Sequence, residues 1–456
     1  MRNPLLVPDL RELLRDGEDA ALREFLTDHH PAHVAEMVED LEPDEGDSLL
    51  GLLAPRVRAE VLSYLDTDHQ VRTVERMNPN DAAALLHLMS HDERADLVNR
   101  LDEERVDRIL PHLAQAERDD IRRLASYEPG TAGAVMTSDY VTLPPNLTVR
   151  EALERLRHEA PDRETIYYCY VVDPARRLIG FVSLKSLILS RPLARIEDIM
   201  QGDVIFARVD EDQEIVARQI GKYDLIAIPV VDADDKLLGI ITHDDALDIL
   251  RQEQTEDILA FGGVSRDAEA DEVPYWQGRI ISVVRRRLPW LLMLLVAENF
   301  TYPVLKYFDW VRERHQPLGY FIALLIGTGG NAGSQTVGTI IRGISLGEIT
   351  GRDSWRVLLR EAAVGLLLGL MLGAIGLAYA HFWRNQPWAL SSVVGITILC
   401  ICIWANTIGA LVPLLARRVG IDPAVISAPF ISTLVDATGL IIYFTIAILI
   451  LIKLTG

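Results

Sequence analysis

The stretch ISTLVDATGLIIYF, residues 431–444, lies inside the last long apolar run of the chain. Between Ala424 and Ile452 the only charged side chain is Asp436, near the middle. A carboxylate at bilayer depth costs roughly 2.5–3.5 kcal/mol on insertion scales, so it must face protein, water or a cation. On a helix, Ala428, Ser432, Asp436 and Gly439 fall four, four and three residues apart and line one face. The remaining faces are Ile, Leu, Val and Phe. The stretch therefore predicts a membrane-spanning helix with one small, polar stripe turned away from lipid.

Working outward, four more apolar runs precede it, giving five predicted spans near 288–308, 318–341, 362–383, 390–416 and 424–452. Each is long enough to cross about 30 Å of hydrocarbon. Arg285, Arg286, Arg287, Arg342, Arg352, Arg356, Arg360, Arg417 and Arg418 flank one side of the set. The other side holds Lys306, Arg312, Arg314, Arg384 and Lys453. The excess of positive charge places the first side, and everything before residue 284, in the cytosol. The N-terminal sequence MRNPLLVPDLRELLRDGEDA lacks the apolar core of a signal peptide, in agreement.

The net charge of −21 is unevenly spread. From Trp276 onward there are 15 basic and 8 acidic residues, which leaves 30 basic and 58 acidic in the first 275. Such an acidic front half excludes nucleic acid as its partner and makes cations natural ones. Cys169, Cys400 and Cys402 form no disulfide framework or zinc spacing, and the histidines show no ligand spacing. There is no G-x-x-x-x-G-K-[ST] loop, so ATP hydrolysis is not indicated and the chain is not expected to be an enzyme.

Two internal repeats organise the front half. LLGLLAPRVRAEVLSYLD (49–66) aligns without gaps to LLHLMSHDERADLVNRLD (85–102), an offset of 36 that suits a helical solenoid. CYVVDPARRLIGFVSLKSLI aligns to IPVVDADDKLLGIITHDDAL at an offset of 59, each copy reading as strand, turn, strand and helix. The second pair resembles tandem CBS domains. In that family Thr242 and Asp245 match positions that hold a nucleotide ribose, whereas Ser183-Leu-Lys-Ser186 lacks the acid. Residues 244–262 read as an amphipathic acidic helix, followed by a polar linker, SRDAEADE.

Small and polar residues concentrate in GTGGNAGSQT (327–336), ANTIG with Asn406, and SAPFISTLVDATG. Two readings compete. Gly329 and Gly333 fit a helix-packing contact between small residues. A carboxylate with hydroxyls and carbonyls is hard-oxygen chemistry, suited to Mg2+ or Ca2+.

GTGGNAGSQT, ANTIGALVPLLARR, IDPAVISAPF and STLVDATG closely resemble the motifs of the MgtE family of magnesium channels, as does the order of segments. The resemblance implies a multidomain fold: an all-α superhelix (1–130), tandem α/β CBS domains (131–251), a connecting helix and linker (252–283) and an α-helical transmembrane domain with five spans (284–456). It implies a homodimer in a bacterial inner membrane, with a pore on the two-fold axis. Mg2+ would bind at Asp436, with Gly329, Gly330, Asn331, Asn406, Ala428, Ser432 and Gly439 lining the path. Cytosolic Mg2+ would close the pore through Glu60, Asp92, Asp96, Asp212, Glu214, Asp224, Asp245, Asp248, Glu253, Glu256, Asp257 and Asp422. ATP at the CBS pair is a weaker implication, through Thr242 and Asp245. The alternatives are a less selective Co2+ or Mn2+ carrier, an exchanger coupled to Na+ or H+, and a membrane-anchored nucleotide sensor. Glu298 departs from the family pattern: the sequence leaves open an outer interface, a pair with Lys306 or an entrance.

Overall fold

The computed structural model describes residues 7–160, 163–265 and 280–453. Most of the SRDAEADE linker lies outside them. The chain forms two units, Met1–Glu253 and Gln254–Gly456.

The first unit begins with short helices, from α1 (Val7–Asp16) to α10 (Gln115–Leu124). Proline punctuates them, standing at the start of Pro31–Glu39, Pro43–Leu52, Pro55–Tyr64 and Pro79–Leu86. Its missing N–H costs nothing in a first turn. The repeat of 36 residues is reproduced helix by helix. Pro43–Leu52 corresponds to α7 (Pro79–Leu86), Pro55–Tyr64 to α8 (His91–Arg100), and Thr67–Arg76 to α9 (Glu103–Ile109). Each repeat thus has three helices, one more than the sequence alignment implied. Their apolar faces meet in one core around Leu49, Leu62, Val74, Leu86 and Leu97.

Two three-stranded sheets follow: β1 (Thr142–Leu143), β2 (Tyr168–Val172) and β3 (Leu178–Ser183), then β4 (Ala207–Arg208), β5 (Ala227–Val231) and β6 (Leu237–Thr242). In each, the first pair is parallel and the second antiparallel. The offset of 59 is kept in detail. Ladder irregularities fall between Val171 and Val172 and between Val230 and Val231. The connecting turns carry left-handed residues at Arg176 (φ 65°) and Asp235 (φ 61°). An aspartate holds each turn: Asp173 accepts from the backbone N–H groups of Ala175 and Arg177, and Asp232 from those of Asp234 and Lys236. That explains why both copies need VVD at the strand end. The second sheet shares a core with the helical region, since Ala95 and Leu124 pack with Ala132, Met136, Val216 and Ile249. Helix α15 (His243–Phe261) leaves β6 and runs past the boundary between the units.

The second unit is helical. Its longer helices are α16 (Ile280–Glu298), then, after the short α17 (Thr301–Tyr307) and α18 (Asp309–Arg314), α19 (Ile322–Ser345), α20 (Ser354–Ala378), α21 (Trp388–Arg418) and α22 (Ala428–Ala447). Among the described residues, three helices are long and apolar enough to cross a membrane: Gly351–Trp383, Trp388–Arg418 and Ala428–Leu451. The first two predicted spans fall on α16 and α19. Arg285, Arg286 and Arg287 lie in α16, and GTGGNAGSQT in α19, which keeps both below that apolar standard. Composition alone therefore supports three spans rather than five. Leu295, Val296, Leu367, Leu370, Met371 and Ile375 are large and exposed, a surface suited to lipid.

Helices α20 and α21 approach backbone to backbone. A Cβ built on Gly373 would lie 2.6 Å from the carbonyl oxygen of Gly395. We expect Gly373→Leu to destabilise the detergent-solubilised protein by about 1–3 kcal/mol, since overpacking forces the helices apart. Thermal unfolding checks this, with Gly351→Ala, whose Cβ position is open, as the neutral control.

Candidate functional site

In the first unit, acidic side chains collect around the start of α8. Asp92 follows its first residue, and its Oδ1 is buried with no hydrogen-bond partner among the described residues. The charges of Glu93 and Asp96 act on it, and it acts in turn on Asp245, in the first turn of α15. Asp245 also caps that helix, accepting from the Thr242 backbone N–H (3.3 Å) and from the Thr242 hydroxyl. Burial first, then mutual repulsion, pushes Asp92 and Asp245 above the usual carboxylate range. Glu164 joins them. Burial, followed by the charges of Asp92, Asp245, Glu93 and Asp244, pushes its pKa up to about 8. Glu93 is raised mainly by burial, although Ser63 donates to it at 2.5 Å.

The adjacent basic groups are engaged elsewhere. Arg94 is 1% exposed and pairs with Asp120, which also accepts from His91 and Ser138. Arg163 pairs with Asp139 at 2.8 Å. The cluster thus holds six carboxylates, Asp92, Glu93, Asp96, Glu164, Asp244 and Asp245, whose mutual repulsion a divalent cation would remove. Among the described residues, no three His, Cys, Asp or Glu side chains converge closely enough to hold a bare ion. Magnesium suits such a loose set, because it keeps several waters and takes one or two carboxylates. The orphaned Asp92 Oδ1 is the atom such an ion would satisfy.

Other predicted acids are placed apart from this group or used locally. Asp212 caps the helix Gln213–Lys222 by accepting from the N–H of Glu214 (2.9 Å). Glu214 pairs with Arg218, and Glu253 accepts from Gln213 at 3.0 Å. Asp224 takes a left-handed backbone, φ 51°. Glu60 and Asp248 are exposed. In the second unit, Asp257 accepts from Ser345 at 3.3 Å, and Phe261 packs on Gly338, so the end of α15 lies against α19. Glu256 is half-buried and Asp422 exposed.

The membrane residues form a second group. Ser334 of α19 contacts Ser432 Oγ at 3.1 Å and donates to the Ala428 carbonyl at 3.3 Å. Ser432 donates to the Gly330 carbonyl at 3.5 Å. A Cβ on Gly330 would lie 3.8 Å from Asp436 Oδ1, so bare α19 backbone runs beside the carboxylate. Asp436, Ser432, Ser334 and Gly330 together present carboxylate, hydroxyl and carbonyl oxygens. Gly329 and Gly439 instead pack on Ile401. Asn406 is buried, accepting from Thr336 (2.6 Å) and donating to the Cys402 carbonyl. Asn331 lines an open groove of about 430 Å³ with Thr328, Gln335, Leu368 and Ile375.

Comparison with known proteins fits this geometry. Residues 322–446 match a family of divalent cation transporters, 29–130 the MgtE intracellular N domain, and 132–191 and 196–252 CBS domains. The magnesium transporter MgtE of Thermus thermophilus is 40% identical over 449 residues, 98% of each chain. The chain belongs to the MgtE family. Its relative from Enterococcus faecalis, also a magnesium transporter MgtE, is 39% identical over 73% of this chain and 71% of its own. The crystal structure of the soluble part of a magnesium transporter aligns with TM-score 0.51 and 36% identity, covering 54% of this chain and 97% of its own. The cytosolic domain of the Mg2+ channel MgtE in complex with ATP aligns with TM-score 0.50 and 38% identity, covering 54% of this chain and 100% of its own.

Sequence reasoning on this MgtE-family chain named Asp92, Asp96 and Asp245 but missed Glu93, Asp244 and Glu164. The first two adjoin named acids in HDER and HDD, a signal that was readable. Glu164 arrives only through the fold. Because its carboxyl binds a proton in the folded unit that an unfolded chain has released, stability falls as pH rises from about 5 toward 8. Without divalent cations, protection of α8 amides in the full chain, corrected for intrinsic exchange, is therefore higher at pH 6 than at pH 8. Glu164→Gln flattens that difference; an unchanged slope would count against the repulsive cluster.

Proposed function

We propose that this chain is a Mg2+ channel that works as a homodimer in a bacterial inner membrane and closes when cytosolic Mg2+ rises. The observation that carries the reading is the oxygen set beside Asp436, in a chain of the MgtE family. Two copies of Asp436 near a two-fold axis would repel and one would protonate, unless a divalent cation stood between them. Mg2+ dehydrates reluctantly, so hydroxyls and carbonyls suit an ion that keeps its waters. Inward movement of two charges gains roughly 4.6 kcal/mol per 100 mV, so no ATP is needed.

Five spans remain our reading, with α16 and α19 completing the bundle because α16 packs on α22, and α19 on both α21 and α22. The dimer is supported by Asn331, Gln335 and Thr339, which repeat every four residues on α19 and stay exposed on one protomer. The divisions at 130, 251 and 283 separate superhelix, CBS pair, connecting helix and pore. Gating follows from the acid cluster: Mg2+ bridging Asp92, Asp96 and Asp245 favours the compact cytosolic unit, and the compact unit must in turn bind Mg2+ more tightly. Glu60, Asp212, Glu214, Asp224, Asp248, Glu253, Glu256, Asp257 and Asp422 are proposed as further cation-facing acids. ATP is proposed at the CBS pair because a relative's cytosolic domain was solved with it. Thr242 and Asp245 would face the ribose, in competition with helix capping.

Asp436→Ala is expected to abolish Mg2+ uptake into proteoliposomes while the dimer still elutes intact; normal uptake would remove the pore assignment. Currents that follow only the Mg2+ gradient separate a channel from an exchanger. Millimolar Mg2+ is expected to slow protease cleavage between residues 252 and 280 severalfold. Equal cleavage with and without Mg2+ would argue against gating by the cytosolic acids.

A further inference from the structure

Glu298 is the last residue of α16, and α16 packs against α22. Its carboxylate stands close enough to act on Asp436 through its charge. Among the described residues it has no hydrogen bond or ion pair, so Lys306 does not neutralise it. Depth agrees. Both helices enter from the arginine-flanked side. Glu298 lies about 17 Å of helix beyond Arg287, and Asp436 about 12 Å beyond Ala428, at 1.5 Å per residue. Glu298 is exposed on the single protomer. An ionised group at that depth cannot be left to lipid without cost. It needs the same remedy as Asp436, which lies on the helix that α16 packs against and within reach of its charge.

We propose that Glu298 is a second acidic group of the cation path, which recruits ions to Asp436 and favours divalent over monovalent ones. The inference rests on reading Asp436 as the ion site. The reason is charge: attraction to a carboxylate scales with the ion's valence, so each added carboxylate helps Mg2+ twice as much as Na+ or K+. In a dimer the path would carry four carboxylates instead of two. The serine hydroxyls and the Gly330 carbonyl contact the ion's waters, whereas Glu298 supplies field. It is therefore a specificity residue rather than a direct ligand.

The test uses the full chain in proteoliposomes, reading initial Mg2+ uptake against external Mg2+ and the reversal potential in mixed Mg2+ and Na+. Glu298→Gln is expected to raise the half-saturating Mg2+ by about tenfold, the scale of focusing by a charged cleft. It should also move the reversal potential toward Na+ permeability, with the maximal rate nearly kept. Glu298→Asp should recover most of the loss. Glu298→Cys gives a charge-specific check that a structural role would not follow: an anionic sulfonate thiol reagent restores Mg2+ preference, and a cationic ammonium reagent worsens it. The chain without that substitution controls for its own cysteines. If Glu298→Gln keeps the original half-saturation and selectivity while Asp436→Asn is inactive, the role of Glu298 is overturned alone. If Asp436→Asn transports normally, the pore reading itself falls.

Discussion

Negative charge without a resident counter-ion is the constraint on which both halves of this molecule depend. In the membrane unit, Asp436 stands beside bare α19 backbone and within reach of another carboxylate's field. In the cytosolic unit, Asp92, Glu93, Glu164, Asp244 and Asp245 repel one another while Arg94 and Arg163 are committed to Asp120 and Asp139. Salt bridges could have removed both conflicts by substituting lysine or arginine nearby. The chain instead leaves the charge open, and an open charge is an affinity for cations. The same physics thus underlies both proposed sites, the one for the transported ion and the one for the regulator.

Helix α15 ties the two uses together along one element. Its first turn contains Asp244 and Asp245, and Asp245 serves as both cap and cluster member. Acids there are favoured by the helix dipole, which partly offsets their repulsion. Its last turn carries Phe261, seated on Gly338, with Asp257 held by Ser345. The first turn thus belongs to the acid cluster of the first unit, and the last turn packs on α19 within the second unit.

The sequence was most informative where a local pattern repeats. The offset of 59 is legible because an aspartate after VV must hold a tight turn, and the structure places that turn, its left-handed residue and the ladder irregularity at matching positions. The offset of 36 was equally visible, but the third helix of each repeat was not, since TDHQVRTVER and EERVDRI share too few residues to align by eye. Within the site, Ser432 was legible from the helical stripe, and Gly330 through the resemblance carried by GTGGNAGSQT. Ser334 stands among several small polar residues of GTGGNAGSQT, and only the packing of α19 on α22 turns it toward Ser432. Asn406 shows the reverse error of emphasis: a polar residue in a span need not face a path, and here both ends of its amide are consumed by helix contacts. Glu164 lay in DRETIYY, where nothing local distinguishes it from a solvated acid.

The shortfall in apolar spans has the same origin. A helix rich in small and polar residues falls below a hydropathy threshold set by lipid, whereas α22 passes despite Asp436 because the rest of it is apolar. Helix α20, whose exposed residues include Leu367, Leu370, Met371 and Ile375, passes readily. Helix α19 fails because its residues serve three neighbours: Gly329 against Ile401, Ser334 against Ser432, and Asn331 and Gln335 toward the open groove. Polar groups exposed along that groove would be expensive against hydrocarbon. Covering them with water or with a second protomer removes the expense, and the first option requires the second, because water at that depth must itself be enclosed by protein. The composition that disqualifies α19 as a lipid-facing span is thus what the proposed dimeric pore requires of it.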